Sequence, residues 1–485
     1  LIQIELNNNQ FKLSGDLKVL NKLYKAMKVK HPNRFFIKPY MPQGWDGCID
    51  YITERGYCKT GLFPKVTSLI KSLNKQYSII DSRKLLEYEA IPSKILDFTP
   101  RYYQYEAVSA IVNNNIGGIN FPRGVIAAAT NAGKTIIAAM LFLSYRNAKA
   151  LILLNNKPLY EQFLEDMPKF FGDNWGYMQG KNVRWADIMV CMTPTLKGNL
   201  RKYSSKLATY NMLLFDECHL VTSKTNKTVI AALYNTIVRV GLSGTPFDHK
   251  DPTKNLDVEA FFGPSVYTIK NITLMEEGYS APIVIKVIKG NTLISIPGNY
   301  REEYNQGIIF SEEREKALLW RLSYYIKRGL FPILIIGKFH DHVERMYEII
   351  YTEFGDKYSV NYLHHKVKDR KNILDDFKSG KLDILIASQL IKLGQNMPLI
   401  RTMINASSGD SHIVALQLLG RAIRTHESKE KVYYEDFFDM GKYLQKHSRH
   451  RINYYISEKF KVIFLEDKIK KLHFRYSRKI PKEEP

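Results

Sequence analysis

Ala127-Ala128-Ala129-Thr130-Asn131-Ala132-Gly133-Lys134-Thr135 decides how the rest of the chain is read. It follows the apolar Gly124-Val125-Ile126 and leads into Ile136-Ile137-Ala138-Ala139-Met140-Leu141-Phe142-Leu143, which reads as a buried helix. A strand, a small-residue loop and a helix starting at Gly133-Lys134-Thr135 suit a polyphosphate, because backbone N–H groups and the positive helix end face the anion. In that role Thr130 to Thr135 cradle phosphates, Lys134 neutralises the terminal ones and the Thr135 hydroxyl ligates Mg²⁺. The usual pattern carries glycine where this chain has Ala128. On its own, the stretch favours a phosphate loop over the alternative, a small-residue helix N-terminus.

Composition narrows the partners. The chain has 485 residues, enough for three or four domains, and 71 basic against 48 acidic residues give a net charge of +23. Such an excess points to a polyanion, nucleic acid first, with a merely basic enzyme as the bland alternative. Cys48, Cys58, Cys191 and Cys218 are scattered without metal-binding spacing, which fits a reducing compartment. Ile2–Leu6 alternates like a strand rather than a leader, and no apolar run reaches the ~18 residues of a membrane helix. A cytoplasmic protein without a membrane partner is expected, in a host cytoplasm if the source is viral.

Residues 1–98 read as a small α+β module: a strand at Ile2–Leu6, a helix at Leu17–Val29, and short aromatic-rich strands around Phe35–Ile37 and Ile49–Ile52. Gly44-Trp45-Asp46-Gly47 reads as a tight turn between the last two. Aromatic and basic residues there suit base stacking and phosphate contact, or a small core with a solvated rim. From residue 99 the pattern changes. Lys149–Leu154, Asp187–Met192, Met212–Phe215 and Val238–Leu242 are apolar runs without alternation, as strands buried on both faces of a parallel sheet are. Helical stretches between them imply βαβ units. The alternation resumes after Gly278, so the expected α/β organisation is 1–98, 99–278, 279–440 and a basic helical extension over 441–485, with Lys459–Leu472 as a helix.

Leu213-Leu214-Phe215-Asp216-Glu217-Cys218-His219 places two acids at the C-terminal edge of such a sheet, where open α/β folds bind ligands. Beside a phosphate loop, Asp216 can hold Mg²⁺ and Glu217 can polarise the attacking water. Ser243-Gly244-Thr245-Pro246 ends a further strand, and its hydroxyls can hydrogen-bond toward the acids. In Gln417-Leu418-Leu419-Gly420-Arg421-Ala422-Ile423-Arg424 two arginines share a helix face, either as surface charges or as a phosphate-facing edge.

Taken in order, these motifs resemble those of the superfamily 2 helicases. Arg101-Tyr102-Tyr103-Gln104 resembles the Q-type motif, Ala128–Thr135 motif I (where alanine first is normal) and Asp216–His219 the DEAD/DEAH motif II. Ser243–Pro246 resembles motif III, Ala387–Asn396 motif V, with a departure at Asn396, and Gln417–Arg424 motif VI. The resemblance covers residues 99 to 440, and the Gly44–Gly47 turn in a small N-terminal module is similar to phage UvsW-type helicases. It implies two tandem RecA-like domains, ATP and Mg²⁺ as cofactors, and a monomer. The implied activity is 3′-to-5′ movement on branched or forked DNA: fork unwinding or regression, Holliday-junction branch migration and R-loop removal, with an RNA–DNA hybrid as a further substrate. Gln104, with Arg101 and Tyr102, would read adenine. Gln417, Arg421 and Arg424 would face the phosphates, the arginines as fingers. His219, Ser243 and Thr245 would couple nucleotide state to movement. Asn156, Lys157, Thr193, Thr195, Lys338, His340 and Trp45 would contact DNA. An RNA helicase stays open, as does the motor subunit of a restriction or repair nuclease, for which Glu427-Ser428-Lys429 is a loose match.

Overall fold

The computed structural model describes residues 1–37, 44–247, 249, 251–291, 298–388, 397, 399–410, 420 and 429–477. They form two compact units, Leu1–Ile269 and Lys270–Pro485, which divide ahead of the passage expected at Gly278. Among the described residues no helix is long and apolar enough to cross a membrane.

The first unit is built on an eight-stranded sheet. From edge to edge its strands are Asn182–Arg184, Gly176–Gln179, Ile188–Met192, Ala150–Leu154, Met212–Asp216, Val238–Ser243, Arg123–Ala128 and Ser265–Ile269. Only the Asn182–Arg184 edge pairs antiparallel. Every residue of Ala150–Leu154 and of Met212–Asp216 is buried, as continuous apolar runs between two helical layers require. Parallel strands end on one side, so the loops that follow them collect at a single edge. Val238–Ser243 lies between the strands that end in Ala128 and Asp216, with Ser243 level with Ala127 and Leu242 level with Asp216.

The first 98 residues are part of this unit. Their sheet runs Tyr57–Lys59, Gln10–Gly15, Ile2–Leu6, Tyr77–Asp81, and its core residues Ile4, Phe11, Leu23 and Phe63 pack with Phe121, Leu256 and Ala260. Gly61 approaches helix Pro252–Phe262 so closely that a Cβ would collide with the Glu259 and Ala260 carbonyls. The Tyr51 hydroxyl donates to the Thr253 carbonyl at 2.7 Å. Of two fully buried arginines, Arg123 adds to the joint through the Asn8 carbonyl, while Arg239 bonds within the larger sheet's own loops. Arg123 donates to the Asn8, Thr236 and Ile237 carbonyls, and Arg239 to Thr236 and the Leu233 carbonyl.

The second unit holds a seven-stranded, wholly parallel sheet. Its order is Val360–Leu363, Ile384–Ser388, Ile333–Gly337, Thr402–Asn405, Val432–Phe438, Ile283–Lys289, Lys461–Phe464.

Three local expectations change. Phe35–Ile37 lies in the short helix Arg34–Ile37 rather than in a strand. The helix expected to Val29 stops at Ala26, because Val29 pairs with Ile49 in a small hairpin. The stretch Lys459–Leu472 is not one helix. Lys461–Phe464 is a strand at the sheet edge, and helix Asp467–Ser477 follows. Val462 and Ile463 are β-branched and gain a paired edge there, which outweighs their helical spacing.

Candidate functional site

The edge where the strands of the first unit end gathers the predicted chemistry. After Arg123–Ala128 the chain turns through Asn131 and Gly133, both at left-handed φ (75° and 78°), and enters helix Lys134–Leu143. Gly133 needs its missing side chain twice: its φ is strained for other residues, and a Cβ would strike the Gln104 amide. Lys134 and Thr135 therefore open a helix whose first-turn N–H groups have no acceptor within the helix.

The Lys134 ammonium lies 3.5 Å from Asp216 Oδ1 and 3.4 Å from Glu217 Oε1. These are loose contacts; tight charge-assisted pairs close to about 2.7–2.9 Å. Burial alone would lower the Lys134 pKa, but the two carboxylates outweigh it and raise it. Burial raises the Asp216 carboxyl, with Lys134 pulling the other way. Burial also pushes Glu217 upward, yet Lys134, His219 and Ser243 together win and hold it at about 2. Glu217 itself sits at a left-handed φ of 55°, which turns its side chain out of the strand line.

Glu217 is tied to the next strand. The Ser243 hydroxyl donates to Glu217 Oε2 at 3.2 Å and lies 3.0 Å from His219 Nδ1, which is itself 3.3 Å from the same Glu217 oxygen. The Thr245 N–H donates to Ser243 Oγ at 3.2 Å. His219 and Ser243 thus meet at Glu217, and Thr245 joins them through its backbone N–H. His249 was not foreseen: its Nε2 lies 3.0 Å from the His219 carbonyl, and no spacing or motif marks it.

Of the three residues expected to read adenine, Gln104 is turned inward. Gln104 is 0% exposed, and both ends of its amide are used inside the protein. Its Oε1 accepts the Arg101 N–H at 2.9 Å, and its Nε2 donates to the Ala132 carbonyl at 2.9 Å. Gln104 therefore braces the loop that precedes helix Lys134–Leu143. Arg101 donates to the Tyr103 hydroxyl at 2.7 Å, while Tyr102 is exposed.

The expected DNA contacts divide. Lys157 is exposed near Glu161, and Asn156 caps helix Lys157–Phe171 by accepting the Leu159 N–H at 2.9 Å. Thr193 is fully buried and its hydroxyl donates to the Leu154 carbonyl, so this side chain cannot reach a strand; Thr195 is half-buried. In the second unit Lys338 donates to the Tyr300 hydroxyl at 2.9 Å, and burial lowers its pKa. His340 packs against His364 and His365. The Trp45 indole N–H donates to the Cys48 carbonyl at 2.7 Å, which closes its own turn. Gln417, Arg421, Arg424 and the motif V residues from Gln389 to Asn396 lie outside the described residues.

Known proteins fit this geometry. Residues 97–248 match the family described as the res subunit of type III restriction enzymes, and residues 316–426 match the helicase conserved C-terminal domain. The chain is 24% identical over 403 residues to the ATP-dependent DNA helicase uvsW of Enterobacteria phage T4, a match covering 75% of this chain and 76% of that one. It is 23% identical to the DNA 3'-5' translocase XPB2 of Sulfurisphaera tokodaii, covering 74% and 85%. Among solved structures, S. cerevisiae Dbp5 bound to RNA and ADP BeF3 superposes with a TM-score of 0.52 at 15% identity, over 78% of this chain and 93% of that one, a likeness of fold alone.

Proposed function

We propose that this chain, which belongs to the superfamily 2 helicases, is a 3′-to-5′ DNA motor that uses ATP to remodel forks, Holliday junctions and R-loops. The observation that carries the reading is the loose seat of Lys134 between Asp216 and Glu217, with Glu217 tied through Ser243 to His219. An arriving triphosphate offers Lys134 a denser negative charge than either carboxylate, so the ammonium moves onto the phosphates and frees the acids. Glu217, ionised throughout the neutral range, then accepts a hydrogen bond from the attacking water and orients it. A change at Glu217 is felt at Ser243 and His219 through their shared oxygen.

The residues fit Mg²⁺. No three His, Cys, Asp or Glu side chains cluster for a metal among the described residues, and Mg²⁺ commonly binds through one or two carboxylates with substrate phosphates and waters. Asp216 and Thr135 would hold it, and when bound it supplies charge neutralisation at the phosphates. Gln417, Arg421 and Arg424 complete the phosphate contacts in this reading. Arg424→Ala should leave ATP binding nearly intact and remove turnover.

Direction of travel is supported by the 3'-5' activity in the name of the Sulfurisphaera tokodaii relative, a nucleic-acid partner by the net charge of +23, and DNA by the names of both relatives. In this reading the motor works as a monomer in a cytoplasm. The test is a panel of fork, four-way junction, R-loop, plain duplex and matched RNA duplex, assayed for strand release with ATP. Preferential release from the three branched DNAs is expected. Equal or better activity on the RNA duplex would overturn the DNA assignment.

A further inference from the structure

The short helix Arg34–Ile37 buries none of its residues, and it leaves Phe35 73% and Phe36 81% exposed. Single exposed apolar residues are ordinary, but two adjacent phenylalanines at this exposure call for a partner. Their base is braced. The Arg34 guanidinium lies 4.4 Å above the Phe35 ring, and its stem rests on Gly47, where a Cβ would meet Arg34 Cδ at 2.8 Å. Gly47 accepts the His31 N–H at 2.9 Å, and Lys28 pairs with Asp46 at 2.6 Å. With the Trp45–Cys48 hydrogen bond, these contacts clamp the 44–47 turn against Arg34 and the start of the short helix.

The chain leading to this tip is a cationic track. Helix Leu17–Ala26 buries Val19, Leu20 and Leu23 and exposes Lys18, Lys22 and Lys25 on its other side; Lys30 is exposed further along. Lys28 is neutralised by Asp46 and Asp50, whereas the other four lysines have no carboxylate within ion-pair distance among the described residues. Unpaired lysines at helical spacing followed by projecting aromatic rings complement a phosphate backbone that ends in an accessible base face. A protein partner with an apolar pocket would not call for the track.

We propose that Phe35 and Phe36 are the strand-separating wedge, stacking on the first unpaired base at a single-strand/duplex junction while Lys18, Lys22, Lys25 and Lys30 hold the adjoining phosphates. This rests on the DNA-motor reading. Because base stacking does not depend on sequence, the wedge works at any junction sequence.

The experiment uses the full chain with Phe35→Ala and Phe36→Ala combined, a Phe35→Trp/Phe36→Trp variant, and a fork carrying 2-aminopurine at the junction. Both rings are exposed, so the thermal midpoint should stay at the wild-type value. The alanine variant should keep single-strand-stimulated ATP hydrolysis, lose roughly tenfold or more in fork unwinding and lose junction 2-aminopurine quenching, while the tryptophan variant retains both. Wild-type unwinding by the alanine variant overturns the wedge, as does an equal fall in single-strand-stimulated hydrolysis. A wild-type protein that neither hydrolyses ATP with DNA nor opens the fork sinks the underlying DNA-motor reading, which separates the two failures.

Discussion

Two buried charges, one in each unit, are held in opposite ways. In the second, Arg451 meets Asp436 through two parallel contacts of 2.9 Å, donates again to the Gly409 carbonyl at 2.6 Å, and shares Asp436 with the Tyr455 hydroxyl at 2.7 Å. Arg321 and Tyr325 also converge on Glu435, though through a single carboxylate oxygen. In the first unit, Lys134 spans two carboxylates at 3.4 and 3.5 Å and keeps part of its side chain exposed. A forked guanidinium with every oxygen engaged is hard to displace, while a single ammonium at long range can be recruited by another anion. In the proposed reading, the difference separates a charge that holds a fold from one that a substrate draws away.

That contrast can be broken most forcefully at Arg451. Arg451→Ala should cost about 3–5 kcal/mol in urea unfolding, because it strands the buried Asp436, and Arg451→Lys should recover little because it cannot fork. An unfolding free energy within error of wild type would place the pair among dispensable contacts. Gln104→Ala leaves the Ala132 carbonyl without its donor and should loosen the phosphate loop by about 1–3 kcal/mol. It should raise KM for ATP and GTP alike, whereas a rise confined to ATP would restore an adenine-reading role. Ser243→Ala removes the hydroxyl between Glu217 and His219, at about 0.5–1.5 kcal/mol. DNA stimulation of hydrolysis should fall severalfold with KM for ATP unchanged; a shift in KM alone would make Ser243 part of the nucleotide seat. The smallest effect belongs to Lys65→Ala, which loses the 2.8 Å surface pair with Glu259 and should cost less than about 1 kcal/mol by thermal melting.

The shared core of residues 1–98 changes how the module can be tested. A deletion would uncover Phe121, Leu256 and Ala260, so lost activity could reflect lost packing. Point substitutions on the exposed surface avoid this.

The parallel sheets were legible because strands buried on both faces must read as unbroken apolar runs, as Ala150–Leu154 and Met212–Asp216 do. The Lys134, Asp216, Glu217, His219 and Ser243 grouping was legible because each follows or ends such a strand. Side-chain direction was not. Gln104 and Thr193 turn inward onto carbonyls at Ala132 and Leu154, far along the chain, and composition carries no sign of this. Arg123 and Arg239 are buried with no carboxylate partner among the described residues and look like surface charges in the sequence; backbone carbonyls satisfy them. Lys461–Phe464 was misread because four residues fit a helix face or a strand, and only the open edge beside Ile283–Lys289 decides.

The central claim is that Lys134 is an exchangeable counter-charge which leaves the acids for a triphosphate. It is tested most directly by ATP hydrolysis of Lys134→Ala at saturating single-stranded DNA, beside a DNA-binding titration. The account predicts a fall of about 10²–10³-fold or more in hydrolysis with DNA affinity retained. Hydrolysis at the wild-type rate in that variant would contradict it.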